Sequence, residues 1–150
     1  MSVHENLSEE QILDCLFEAA EKLPEETVRI KRLDMQIVLH GLTSSRVDSI
    51  RERCTVRRTV KGVVDEKVDT ETFNALLISE ATDSLVVKGL KLNGWGDPRI
   101  TSRLKLSGGE QAVRRMLLAG ELDAVGDKVL ELSGFGVEIT DLKNESAPGE

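Results

Sequence analysis

Aromatic residues are nearly missing from this chain: three phenylalanines, one tryptophan and no tyrosine among 150 residues. Strand-rich cores lean on aromatic side chains, so the scarcity points to helices packed through Leu, Val, Ile and Ala. Cysteine is scarce too. Cys15 and Cys54 lie outside any C-x-x-C pattern, and two residues make no disulfide framework. Both fit amphipathic patterns as small buried apolar residues. With only His4 and His40 to join them, zinc ligation and Cys–His catalysis lack the residues they need. No Ser/His/Asp or paired-carboxylate arrangement is visible, and Asp65-Glu66 lies in polar sequence, so no enzyme, cofactor or metal is expected. No apolar run nears the ~18 residues of a membrane span, and the acidic start is unlike a secretory leader. The chain reads as a soluble intracellular protein.

What is abundant is charge, and it is unevenly placed. Residues 1–26 carry eight acids and one lysine, which accounts for the whole net charge of −7. The rest of the chain balances. Within it, Arg46, Arg51, Arg53, Arg57, Arg58 and Lys61 cluster against only Asp48 and Glu52. The cluster has no interleaved aromatics and no glycine-rich RNA-binding signature, so a solvated helix end running into a hairpin explains it better than a nucleic-acid grip. The acidic first segment is expected to meet a basic surface, which is this cluster in the same or a neighbouring subunit, or a basic partner.

One hexapeptide invites a functional reading. Leu106-Ser107-Gly108-Gly109-Glu110-Gln111 matches the signature string of ABC-type ATPases. Such an enzyme also needs a G-x-x-x-x-G-K-[ST] loop to cradle phosphates, and none occurs. Lys88-Gly89-Leu90-Lys91 has neither the spacing nor the hydroxyl. Ser107 and Glu110 instead form the S-x-x-E of a capping box, with Val113, Met116 and Leu117 following at helical spacing.

Periodicity organises the remainder. Ser8 to Gln11 is a second capping box, opening a helix whose face is Ile12, Leu13, Leu16, Phe17 and Ala20 and which ends near Leu23-Pro24. From Glu26 the period becomes two: Val28 and Ile30, then Ile37 and Leu39 beyond Asp34-Met35, predict a β-hairpin. Thr43 caps a short helix through Val47, Ile50 and Cys54, and Asp69 caps one through Phe73, Leu76, Leu77 and Ala81. Between them, Thr55 to Lys67 is a protruding hairpin or a mobile loop, and the pattern does not choose. Ser84 to Gly96 suits a short strand or a helix end equally. Asp97-Pro98 restarts a helix. One helix then runs from Ser107 to near Ala119-Gly120, and another carries Leu122, Val125, Val129 and Leu132 to a stop at Ser133-Gly134, where Phe135 packs back. The expected fold is α+β and mostly α-helical: an N-terminal helix, a β-hairpin, then a bundle of short helices. Residues 1–142 are expected to form one domain and residues 143–150 a disordered tail.

The order of these pieces resembles a known family. Val28-Arg29-Ile30-Lys31-Arg32, then Leu42-Thr43-Ser44, Arg53-Cys54-Thr55, Arg114 to Glu121 ("RRMLLAGE") and Val129 to Phe135 ("VLELSGF") look like the XkdN-like phage tail assembly chaperones, over roughly residues 26–136. Arg115 stands where the family often has lysine, and Ala119 where it often has proline. The resemblance implies a small non-enzymatic protein of the bacterial host's cytoplasm, absent from the finished virion. It would bind the tape measure protein and keep that long helical chain soluble until tail tube protein assembles around it, with a homo-oligomer possible. A structural tail adaptor is the rival within phage tails, and a nucleic-acid-binding regulator using Arg46 to Lys61 the rival outside them. A helix-receiving surface needs pliable aliphatic side chains, and Met116, Leu117, Leu118 and Leu122 are the candidate partner-binding residues, with Leu118 facing outward.

Overall fold

The computed structural model of the chain describes residues 7–135, so the expected tail at residues 143–150 lies outside the described residues. The architecture is α+β and mostly helical. Ser8 opens α1 (Glu9–Glu21) with the expected reciprocal cap: its hydroxyl accepts from the Gln11 amide, and its own amide donates to the Gln11 side chain. The predicted hairpin follows as β1 (Glu25–Ile30) and β2 (Met35–His40), paired antiparallel with Val28 opposite Ile37. Alternation puts Met35, Ile37 and Leu39 on the buried face. Thr43 caps α2 (Ser44–Arg53) through the Arg46 amide.

Two segments that the sequence leaves open become hairpins. β3 (Thr55–Val60) pairs with β4 (Val63–Val68) as a separate two-stranded sheet. β5 (Thr82–Val87) pairs with β6 (Leu90–Leu92), and β5 also joins β2, giving a four-stranded antiparallel sheet of order β1-β2-β5-β6. Both hairpins turn on a Lys-Gly pair: Lys61 and Gly62 have φ of 53° and 77°, Lys88 and Gly89 of 50° and 85°. Two successive positive φ values define the tight turn whose twist suits paired strands, and glycine takes its place there without steric cost.

Between the hairpins lies α3 (Thr70–Ala81), capped by Asp69 and buried through Phe73, Ala75, Leu77, Ile78 and Ala81. A helix buried on so much of its surface is the centre of the packing. α5 (Gly109–Met116) and α6 (Ala119–Leu132) lie against it, and α6 also reaches β1 and β2. Gly126 permits the approach of α6, because a Cβ there would come within 2.7 Å of Asn74 Oδ1 on α3. α4 (Pro98–Leu104) starts as expected from Asp97, with proline in its first turn. A continuous apolar cluster joins the sheet face to α2, α3, α5 and α6 through Ile37, Leu85, Val47, Leu77, Val113 and Val129.

Several local expectations need correction. Ser107 is not an N-cap: α5 begins one step later from Gly108, with no side-chain cap, and the Ser107 amide donates to Gln111 Oε1 at 2.9 Å. The tight spot is Gly109, where a Cβ would lie 2.6 Å from Ser79 Oγ and 3.1 Å from the Gly96 nitrogen. That helix also stops at Met116, not near Ala119-Gly120, because Leu117 and Leu118 are extended and α6 starts at Ala119. Gly134 ends α6 in the left-handed region as expected, with the Phe135 amide reaching the Leu130 carbonyl at 3.0 Å, yet the Phe135 ring stays exposed. Cys54 is buried, but Cys15 is exposed on α1.

α1 stands outside this packing. Its apolar face exists, and nothing among the described residues covers it: Ile12, Leu13, Leu16 and Phe17 stand 42–56% exposed and no residue of α1 is buried. Nor does any α1 carboxylate form an ion pair among the described residues, so the expected meeting with Arg46 to Lys61 is not made within the chain.

Candidate functional site

The four candidate partner-binding residues fall at the elbow between α5 and α6, and they divide. Leu117 (7% exposed) and Leu122 (6%) turn into the core, Met116 is half-buried against it, and Leu118 projects at 58% exposure. The cause is the extended backbone at Leu117 and Leu118, which breaks helical spacing and sends neighbouring side chains to opposite sides. Consecutive leucines in one helix would have lain closer in direction.

The elbow is fixed by a residue from a distant element. Arg32, in the turn between β1 and β2, donates from Nη2 to the Met116 carbonyl at 2.8 Å, satisfying an end of α5. The same guanidinium grips Glu121 through Nε at 3.0 Å and Nη2 at 2.7 Å. Glu121 Oε1 in turn accepts from the Leu118 amide at 2.8 Å, closing the first turn of α6. The Arg32 contact, then the Leu118 amide, hold the Glu121 carboxyl below its ordinary range, and Glu121 raises Arg32. Leu118 is therefore presented on a braced corner. Sequence reading passed over Arg32 and Glu121 as a pair, although a glutamate three residues into a helix is a capping signal.

Beside the elbow, α3, α5 and α6 enclose a depression of about 340 Å³. Leu117, Ala119 and Leu122 give it an apolar floor, while Arg114, Glu71 and Asp123 form a charged rim. Arg114 spans the rim, 3.3 Å from Glu71 and 3.6 Å from Glu110. Asp123 Oδ1 also accepts from Asn74 Nδ2 of α3 at 3.3 Å. A larger depression, about 580 Å³, lies between the β3–β4 hairpin and the start of α3 and meets the smaller one at Thr70 and Glu71. Size alone does not choose between them; only the smaller one adjoins Leu118 in sequence and shares two of the four candidates.

The other sequence features find structural uses. The basic cluster is largely neutralised by its neighbours: Arg46 and Arg53 lie 2.6 and 3.4 Å from Glu80, and Arg57 lies 2.6 and 3.0 Å from Glu52 and Glu66. Arg51 pairs with Asp48 at 3.2 Å and lies over the Phe73 ring. These four cations, matched to carboxylates, have little attraction left for phosphate, while Arg58 and Lys61 form no ion pair among the described residues. Of the two glycines in the ATPase-like string, Gly109 serves packing, whereas a Cβ at Gly108 would meet nothing within 4 Å. Among the described residues, no three His, Cys, Asp or Glu side chains converge as metal ligands, and no helix is long and apolar enough to cross a membrane.

Comparison with known proteins agrees with the sequence resemblance and extends it. The family model described as phage XkdN-like tail assembly chaperone protein matches residues 13–147, which takes in most of α1 as well as the sheet, the elbow and α6. No curated protein and no solved structure matched the chain. Matched over nearly its whole length, this chain belongs to the XkdN-like family of phage tail assembly chaperones.

Proposed function

We propose that the protein binds the tape measure protein and keeps its helical chain soluble while tail tube subunits assemble around it. The observation that carries this reading is Leu118, a large aliphatic side chain held out to solvent on a braced corner beside an apolar-floored depression. A client with an amphipathic helix lays an apolar side chain every third or fourth residue into such a groove, with the charged rim fixing its orientation. The role is one of binding, without catalysis. It is exercised in the cytoplasm of the bacterial host, and the protein leaves before the virion is complete. Residues 1–142 act as one chaperone unit in this reading.

Leu118→Glu tests the surface directly. Because Leu118 is exposed, the variant keeps its circular dichroism spectrum and unfolding midpoint, yet fails to keep co-expressed tape measure protein in the soluble fraction. Leu117→Glu is the contrast: it buries an unpaired charge, costs several kcal/mol (about 2–5) and unfolds the chaperone. A folded Leu118→Glu protein that still rescues the client completely excludes the elbow. Rescue by an unrelated acidic protein of similar size rejects specific chaperoning.

A further inference from the structure

Two elements leave apolar surface uncovered, and their chemistries match. On α1, helical spacing gathers Ile12, Leu13, Leu16, Phe17 and Ala20 into one stripe and sets Glu10, Asp14, Glu18 and Glu21 in a row along one border. The helix carries no base. On the β3–β4 hairpin, strand alternation places Val56, Val60 and Val63 on one face with Arg58, Asp65 and Lys67, and Lys61 at the turn. Those valines are 52–67% exposed. Among the described residues neither Arg58, Lys61 nor Lys67 forms an ion pair, in contrast to Arg57 on the opposite face, which holds both Glu52 and Glu66. Asp65 likewise has none, so cations prevail on that face. Two-stranded hairpins are marginal without a packed face, and here Val56, Arg58, Asp65 and Lys67 of that face line the depression of about 580 Å³ that reaches to the start of α3. Of the two carboxylates at its α3 end, Glu71 is paired with Arg114, while Asp69 accepts from the Thr72 hydroxyl at 2.8 Å and keeps its charge at the base of the hairpin, the end opposite Lys61.

We propose that α1 of one copy of this protein seats in the hairpin cleft of a second copy, Phe17 entering the cleft and the acidic row of α1 facing Arg58, Lys61 and Lys67. Pairing of α1 with α1 is disfavoured, because it would crowd two acidic rows around one seam, whereas the hairpin supplies the opposite sign. The contact joins different surfaces of the two copies. It therefore leaves a free α1 at one end and a free hairpin at the other, and it propagates until a ring closes. The elbow includes neither α1 nor the β3–β4 hairpin, although its depression borders the cleft at Glu71.

The test uses full-length protein and two variants at exposed positions, Phe17→Glu and Val63→Glu, followed by analytical ultracentrifugation. Wild-type protein associates beyond a dimer as concentration rises. Each variant alone has lost one half of the contact, and its self-association weakens at least about tenfold. Mixed together, the two retain one good junction between them, Val63→Glu lending its α1 to the hairpin of Phe17→Glu, and form one-to-one dimers. A wild-type protein that stays monomeric overturns the proposal. So does a Val63→Glu protein that associates like wild type, which would assign self-association to α1 alone, and so does a mixture that stays monomeric. Client rescue by both variants is expected in every case, so failure here is separate from failure at Leu118.

Discussion

At the scale of single residues, the side-chain caps were legible and the glycine contacts were not. Ser8, Thr43, Asp69 and Asp97 cap the helices their neighbours announce, because a cap is a local event between residues two or three apart. Ser107 fails for a reason local rules do not contain: Gly109 lies against Ser79 and Trp95, and that approach decides where α5 starts. Ser107→Ala is accordingly expected to be near neutral, whereas Gly109→Ala overpacks the contact and costs about 1–3 kcal/mol; urea unfolding of the two variants measures both. Asp97 supports a second prediction. Its carboxylate accepts from the Arg99 guanidinium and from the Asn93 and Arg99 amides at 2.9–3.1 Å, which holds its pKa far below the ordinary carboxylate value. A carboxyl depressed on folding stabilises the fold above its unfolded pKa of about 4 and loses that contribution as pH falls. Asp97→Asn should lower stability near neutral pH and flatten its decline over the acid range, read as unfolding midpoints against pH.

At the scale of elements, period and caps reveal which segment is helix or strand, and the β1–β2 hairpin and α6 follow from them directly. The β5–β6 hairpin stays open between strand and helix end in the sequence because β6 is three residues long, too short to show alternation. Its turn was nonetheless written in Lys88-Gly89, the same dipeptide in the same positive-φ geometry as Lys61-Gly62. Amphipathicity, in turn, says that α1 has a stripe and is silent on what lies against it. Since α1 buries none of its residues, removal of residues 1–22 is expected to leave a cooperative unfolding transition at nearly the same denaturant midpoint while changing association. A broadened transition in that truncation would make α1 part of the core after all.

At the scale of the whole molecule, what the sequence could not display is contact between distant segments. Arg32 and Glu121 brace the elbow across 89 positions, and Gly126 meets Asn74 across a helix interface. Neither leaves a periodic trace. The elbow itself was partly visible: the "RRMLLAGE" run marked the place, but only the break in helical backbone at Leu117 and Leu118 sorted one outward leucine from two inward ones.

Trp95, the only tryptophan of a chain without tyrosine, is buried and donates its indole N–H to Thr82 Oγ1 at 3.0 Å, at the junction of β5 and the start of α5. The protein thus carries a built-in optical probe of one location. Its intrinsic fluorescence should be blue-shifted in the folded state and move to the red on unfolding, with no second emitter to blur the change. The same emission should stay constant when α1 or the β3–β4 hairpin engages another copy, since neither element contributes an emitter. A tape measure protein bearing its own tryptophan would then be seen against a fixed background, and a shift in the chaperone's emission on self-association would mean that the contact reaches the core.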